Sequence, residues 1–139
     1  MRVSGVHIGF AGSGHARASG KVLLAFAPDS VREAYLLENP LVAVTPRTIV
    51  EPSELRLELE RTRLLGFAVD EEEFREGVAC VAAPLLESGY PVAAYSISAP
   101  VERFRRRRQE LIDHVVEATR QAALERGGGG PDLRAVSAS

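Results

Sequence analysis

The chain has 139 residues, of which 45% are hydrophobic, and its 17 basic and 19 acidic residues give a net charge of -2. This size and composition suit one domain with a buried core. The near-neutral charge excludes a global attraction to nucleic acid or to an anionic membrane. One cysteine excludes an intramolecular disulfide, and no apolar run approaches the roughly 20 residues of a membrane helix. We therefore expect a soluble, cytoplasmic protein without a metal or cofactor.

The N-terminal part of the chain is predicted to be mainly helical. Residues 1–10 alternate imperfectly around two glycines and indicate a short strand or an extended arm. Residues 15–26 are small and apolar without proline, which favours a buried helix with its cap near Ser13. A second helix is predicted over residues 31–38, and the proline-containing residues 39–50 are predicted to form a loop or an edge strand.

The third predicted helix has the clearest boundaries. Leu55 and Leu59 recur at helical spacing, and Pro52 suits a position in the first turn. Gly66 lies where a left-handed residue would end the helix. A helix is therefore predicted over Pro52–Leu65.

Three strand-like runs follow and lead into a last helix. The strands are predicted at residues 67–70, 77–86 and 91–98, the helix at residues 101–124, and a flexible glycine-rich tail at residues 127–139. Strands joined by short turns indicate an antiparallel meander. The sequence thus predicts an α+β domain with a GAF-like antiparallel sheet and flanking helices, which we expect to gather on one face.

The second and third strands carry polar residues that are typical of a small-molecule site. Ser96 and Ser98 share one face because side chains alternate along a strand. A two-residue turn at Ser88 and Gly89 would place both serines on the face opposite to Cys80. A loop of three or five residues would instead place Ser98 directly across from Cys80. Buried hydroxyls need hydrogen-bonding partners, and we predict the odd-numbered loop, which groups these polar side chains.

An acid and a helix start complete the predicted site. Asp70 ends the first strand, where it could orient a hydroxyl or a protonated ligand, or cap a backbone turn. The acidic residues 71–73 are interpreted as a solvated turn. Ala18 and Ser19 begin the first helix with little side chain, so their N–H groups could attract an anion. Close packing of the helix on the sheet would explain these small residues equally well.

Cys80 has other interpretations besides a cavity wall. A buried free cysteine is most often a small core residue. A catalytic thiolate needs a neighbouring base, but His7, His15 and His114 stand on different predicted elements and no cysteine-protease pattern surrounds Cys80. Catalysis is therefore not expected.

The basic run at residues 105–108 is interpreted as a solvated helix face with acidic partners such as Glu102 and Glu110. A nucleic-acid-binding helix is the alternative. No interleaved aromatic residues and no basic excess over the whole domain support that alternative.

Four segments, taken together, resemble the effector-binding domain of IclR-type transcriptional regulators. They are HARASGKVLLAF, TPRTIVEP, LELERTRLLGFAVDEEEFREGVACVAAP and AYSISAP, in this order between about residue 14 and residue 120. The resemblance implies a GAF-like fold that binds a small metabolite, often a carboxylic or aromatic acid. By position, it implies ligand contacts from Ala18, Ser19, Asp70, Val78, Cys80, Ser96 and Ser98. Arg17 departs from the family, in which a small residue is usual there.

The resemblance also implies partners for the chain. Regulators of this family form dimers or tetramers and bind DNA through an N-terminal winged helix-turn-helix, for which this chain has no room. We therefore expect residues 1–126 to form an effector-binding domain that is N-terminally incomplete and self-associates, without binding a membrane. A ligand-free oligomerisation module and a small enzyme that uses Cys80 remain as alternatives.

Overall fold

A computed structural model of the protein describes residues 13–127. After a short 3-10 helix at Gly14–Ala16, the elements are α1 (Ala18–Phe26), α2 (Asp29–Glu38), α3 (Pro52–Leu65), β1 (Ala68–Glu71), β2 (Val78–Glu87), β3 (Tyr90–Pro100), α4 (Val101–Arg106) and α5 (Arg108–Gly127). The predicted N-terminal arm and nearly all of the predicted tail lie outside the described residues. The segment between α2 and α3 is a loop, one of the two predicted alternatives.

The three strands form an antiparallel sheet in the order β1-β2-β3, and the α+β prediction is confirmed. Helices cover both faces of this sheet. On one face, α1 and α3 pack against a core that includes Ala68, Ala82 and Ala94. On the other face, α4 packs against Val81 and its neighbours through Phe104, and α5 packs against them through Ile112. The prediction that the helices gather on one face is therefore wrong, because β2 is apolar on both sides, as a fully covered strand must be.

The predicted bounds of α3 are confirmed, and Gly66 ends the helix in the left-handed conformation with φ 86°. The helix α1 begins at Ala18 instead of residue 15, because the backbone turns through the 3-10 helix and is extended at Arg17. Arg17, and not Ser13, is the N-cap of α1. The helix α2 starts at Asp29, two residues before its predicted start.

The long C-terminal helix is interrupted at Arg107, where φ is -122° and ψ is 28°. The prediction of one continuous helix is therefore wrong. Phe104 and Ile112 both pack into the core on the α5 face of the sheet.

The β2–β3 hairpin closes with two residues, Ser88 and Gly89, so the prediction of an odd-numbered loop is wrong. Both residues have positive φ, 53° and 84°. A type I′ hairpin turn needs positive φ at both central positions, and it suits the natural twist of the strands.

A β-bulge in β3 offsets the even-numbered turn. Leu86 pairs with Pro91, but Leu85 pairs with Ala93, so Val92 is an extra residue without a partner across the ladder. Proline has no N–H for the ladder and is tolerated at such irregular positions. One extra residue inverts the faces of all the side chains that follow it in the strand.

The bulge produces the strand register that the sequence predicts. Cys80 lies opposite Ser98, and Ala82 lies opposite Ser96. Ser96, Ser98 and Cys80 therefore share one face of the sheet, although the turn alone would separate them.

The segment before α1 folds tightly back on the helix. A Cβ atom on Gly20 would collide with the carbonyl oxygen of Gly14. His15 is fully buried, with Nδ1 3.0 Å from the Tyr35 hydroxyl and Nε2 3.0 Å from the carbonyl oxygen of Val42. A carbonyl only accepts, so Nε2 donates to it, and in the neutral ring Nδ1 then accepts from the hydroxyl. His15 thus joins the start of α1 to α2 and to the loop that follows.

Lys21 on α1 is fully buried in an ion cluster. Its Nζ atom lies 3.0 Å from Glu58 Oε2 and 2.6 Å from Glu73 Oε1, and it donates to the carbonyl oxygen of Val69 at 3.1 Å. The Glu73 contact is an ion pair. The Glu73 side chain is only 16% exposed, so the interpretation of a solvated turn is wrong for this residue. Burial raises the pKa of Glu73, and the Lys21 charge opposes that rise.

Replacing Gly20 by alanine is expected to lower the free energy of unfolding. At an ordinary helix position the change stabilises by up to about 1 kcal/mol, because alanine is the better helix former. Here the new methyl group would collide with the Gly14 carbonyl. Overpacking of this kind costs about 1–3 kcal/mol. Urea denaturation measures the change, and a more stable variant would contradict the described packing.

The variant Lys21→Met is expected to lose about 3–5 kcal/mol of unfolding free energy at neutral pH, because it leaves buried carboxylates without their cation. The pKa of Glu73 is already raised from 4.5 in the folded protein. At a pH above that raised pKa, the buried Glu73 carboxyl group is ionised, which lowers the free energy of unfolding. This loss is larger when Lys21 is absent. The deficit relative to the wild type should shrink as the pH falls toward 4.5.

Denaturant titrations of wild type and Lys21→Met between about pH 5 and pH 8 would measure this deficit. The double variant Lys21→Met with Glu73→Gln should recover part of the loss at the upper end of this range. A deficit that does not change with pH, and that Glu73→Gln does not reduce, would contradict the role of the ion cluster.

Candidate functional site

Two rows of side chains cross the sheet on the face that α1 covers. Asp70, Cys80 and Ser98 are partners across all three strands, and Ala82 and Ser96 are partners in the adjacent row. Between these rows and the first residues of α1 lies a cavity of about 730 Å³. Ligand sites in proteins are typically concavities of roughly 300–1,000 Å³ with a few polar groups among apolar ones.

The structure brings all seven sequence-predicted site residues to the lining of this cavity: Ala18, Ser19, Asp70, Val78, Cys80, Ser96 and Ser98. Sequence reasoning did not assign the other lining residues: Arg17, Phe74, Arg75, Gly77, Ala99 and Pro100. The departure of Arg17 from the family pattern was the available signal for one of them. The others follow from the turn between β1 and β2 and from the end of β3, whose positions depend on tertiary contacts.

Hydrogen bonds fix the polar row at the cavity. Cys80 Sγ lies 2.9 Å from Ser98 Oγ, and either atom can donate. Asp70 Oδ1 accepts a hydrogen bond from the backbone N–H of Glu73 at 2.8 Å. Of the roles considered for Asp70, the cap of a backbone turn is therefore the one observed. This bond closes the turn after β1 and holds the carboxyl group, which is only 2% exposed, against the sheet.

Burial disfavours the charged forms of two groups in the polar row, Asp70 and Cys80. Burial raises the pKa of Asp70, while the N–H bond from Glu73 and the charge of Lys21 oppose the rise. Burial also raises the pKa of the Cys80 thiol, and its hydrogen bond with Ser98 opposes this. A protonated thiol is a weak nucleophile. The row is thus suited to hydrogen bonding with a ligand and not to nucleophilic attack.

Other parts of the cavity lining are cationic. Arg17 and Arg75 contribute guanidinium groups, and Ala18 and Ser19 belong to the first turn of α1. N–H groups of a first helical turn have no partner within the helix and carry partial positive charge. The cavity therefore combines neutral hydrogen-bonding groups with a region that favours an anion.

The basic run at residues 105–108 lies outside this cavity, and its partners are acidic. Arg105 pairs with Glu102 at 3.6 Å and also with Glu71 at 3.2 Å. Arg107 pairs with Glu110. The interpretation of a solvated face with acidic partners is confirmed for these arginines.

Neither a metal-binding cluster nor a membrane-spanning helix occurs in the described part of the chain. Among residues 13–127, no group of three or more His, Cys, Asp or Glu side chains could hold a metal ion. None of the helices described is long and apolar enough to cross a membrane.

Comparisons with known proteins identify the family to which this chain belongs. Residues 3–125 match the family model for the C-terminal part of the bacterial transcriptional regulator IclR. The glycerol operon regulatory protein of Streptomyces coelicolor is 40% identical over 119 residues, which cover 83% of this chain and 46% of that protein. The chain thus spans less than half the length of this relative.

Two solved structures are similar to the fold described above. An IclR homolog from Microbacterium hydrocarbonoxydans, complexed with 4-hydroxybenzoate, has a TM-score of 0.70 and 29% identity over 76% of this chain and 42% of its own. A double mutant of the PobR inducer-binding domain from Acinetobacter, complexed with 3-hydroxybenzoic acid, has a TM-score of 0.69 and 30% identity over 81% of this chain and 63% of its own. With the family match, these similarities show that the chain belongs to the IclR family of bacterial transcriptional regulators and corresponds to their C-terminal domain.

Proposed function

We propose that the cavity binds a small organic acid and that this chain is the effector-sensing part of an IclR-type regulator. The observation that carries the proposal is the row of Asp70, Cys80 and Ser98, which lines an open cavity beside the start of α1. The hydroxybenzoates in the two similar structures support this ligand class.

The lining offers each part of such an acid a suitable partner. The hydroxyls of Ser96 and Ser98 and the thiol of Cys80 can donate to or accept from a neutral polar group. The apolar side chain of Val78 can contact a hydrocarbon or aromatic portion. The first N–H groups of α1 can bind a carboxylate. All seven predicted residues have a role in this proposal, with Asp70 holding the turn and Ala18 and Ser19 supplying the helix start.

The same features weigh against the two alternatives. A ligand-free oligomerisation module would have a filled sheet face at Cys80 and Ser96, whereas these residues line a cavity. A small enzyme that uses Cys80 would need a thiolate, but burial raises the pKa of this thiol. His15, the histidine nearest in sequence to the start of α1, is bonded to Tyr35 and Val42 away from the cavity.

In the complete regulator, we propose that the effector acts by binding two conformations of this domain with different affinities. Only a difference in affinity can shift such an equilibrium. DNA would be bound by a helix-turn-helix domain outside this chain. We propose that the complete regulator is cytoplasmic. The arginines of the basic run that pair with glutamates have their charge partly balanced within their own domain.

The variant Ser98→Ala tests the proposed ligand site. We expect it to weaken binding of 3- or 4-hydroxybenzoate, measured by calorimetric titration, by about 1–3 kcal/mol, because one buried hydrogen bond is lost. Ser53→Ala, at an exposed position of α3, is the matched control and should bind like wild type. Equal affinities for wild type, Ser98→Ala and Ser53→Ala would contradict the assignment of Ser98.

We also propose that the chain self-associates, as a dimer or tetramer. Several leucines are exposed on helices, including Leu37 at 89% and Leu64 at 88%. Packing between subunits would remove such apolar surface from water, which is favourable. Light scattering over a wide concentration range should give a multiple of the 15.0 kDa chain mass. A single-chain mass at every concentration would contradict this proposal.

A further inference from the structure

Arg17 is held at the edge of the cavity by an aromatic ring. Its guanidinium carbon lies 3.9 Å from the centroid of the Phe74 ring. Both residues line the cavity, and Arg17 is exposed whereas Phe74 is half-buried. A cation over an aromatic face is attracted by the negative charge of the ring face, which favours one position of a long side chain.

The charge of Arg17 has no carboxylate partner among residues 13–127. Several other arginines of the described chain have such partners, among them Arg32, Arg56 and Arg105. The charge of Arg17 nevertheless acts within the cavity, because it favours the ionised forms of Asp70 and Cys80. A guanidinium group at a cavity, with no protein carboxylate at ion-pair distance, is suited to an anionic ligand.

We propose that Arg17, positioned by Phe74, is the residue that selects ligands with an anionic group at this end of the cavity. The inference rests on the proposed function, and it assigns the ligand an orientation. The acid group lies beside Arg17 and the first turn of α1, and a neutral hydroxyl or carbonyl group lies beside Cys80 and Ser98. Arg75, which also lines the cavity, adds to the positive charge.

The position of Asp70 supports this orientation. An acid group placed against the Asp70 carboxyl would be repelled whenever Asp70 is ionised. A hydroxyl group placed there would meet acceptors and weak donors instead. The polar row therefore favours the neutral end of the ligand, and the acid group lies at the cationic end of the cavity, beside Arg17. A hydroxy acid with its two groups at opposite ends fits both conditions.

Cys80 provides a test that does not depend on knowing the effector. It is the single cysteine of the chain and lines the same cavity. Two methanethiosulfonate reagents of similar size are used, one ending in a sulfonate and one in a trimethylammonium group. The Cys80 thiolate attacks the reagent, a mixed disulfide forms, and methanesulfinate leaves. The ratio of the two rates reports the electrostatic potential in the cavity.

We expect Arg17→Gln to lower the anionic-to-cationic rate ratio by about threefold to tenfold, because local charge changes the concentration of a charged reagent. Arg120→Gln is the matched control, since Arg120 is exposed on α5 and outside the cavity lining. Phe74→Leu should give an intermediate ratio, because the arginine remains but loses its support. Circular dichroism would establish that each variant is folded. An unchanged ratio in folded Arg17→Gln would overturn the inference.

Ligand binding separates this inference from the proposed function. Wild type should bind 4-hydroxybenzoate at least about tenfold more tightly than 4-hydroxybenzamide, which lacks the charge, and Arg17→Gln should lose this preference. Equal binding of acid and amide by wild type would overturn the role of Arg17 and leave the ligand site in place. If wild type binds neither compound, and Cys80 reacts equally fast with and without them, the result would count against the proposed function. The ratio of the two reagent rates would still decide whether Arg17 sets the charge of the cavity.

Discussion

The extra residue in β3, Val92, determines which side chains of this sheet lie together. The two-residue turn at Ser88 and Gly89 would by itself place the serines of β3 on the α5 face. With Val92 inserted, Ser96 and Ser98 face α1, and Ser98 meets Cys80. The polar row depends on this bulge. A shift of one residue in β3 would turn its serines away from the cavity and turn the apolar residues of the other face toward it.

Close packing at the start of α1 shapes the same cavity. The contact between Gly20 and Gly14, and the hydrogen bonds of His15, fix where α1 begins. Arg17 is extended and exposed at that point, so the cationic end of the cavity is a consequence of this turn. A side chain at Gly20 would displace the turn, and with it the charge that we assign to ligand selection.

Contacts also run from the cavity toward α3. Asp70 holds the N–H of Glu73, whose carboxylate pairs with Lys21, and Lys21 in turn pairs with Glu58 on α3. Each of these groups is buried or nearly so, which makes an unpaired arrangement costly. A change at Asp70 would therefore alter contacts on α1 and α3 together.

Local patterns and the family resemblance together predicted much of this arrangement. The bounds of α3 follow from Pro52, its leucine spacing and Gly66, all of which act within one helix. The seven cavity residues follow from strand alternation and from the resemblance. The bulge at Val92, the interruption at Arg107 and the burial of Glu73 could not be predicted, because each is decided by contacts between distant segments. For Glu73, the sequence shows only an acidic run, whereas its environment depends on Lys21 and on α3.

The register of the β2–β3 hairpin is the central claim, and nuclear magnetic resonance of the labelled protein tests it directly. Cross-strand nuclear Overhauser effects between backbone protons identify facing residues in an antiparallel pair. We predict contacts of Cys80 with Ser98 and of Ala82 with Ser96, with Val92 lacking a facing partner. Contacts of Cys80 with Ile97 would show a regular hairpin without the bulge, and would contradict the placement of Cys80 and Ser98 in one cavity.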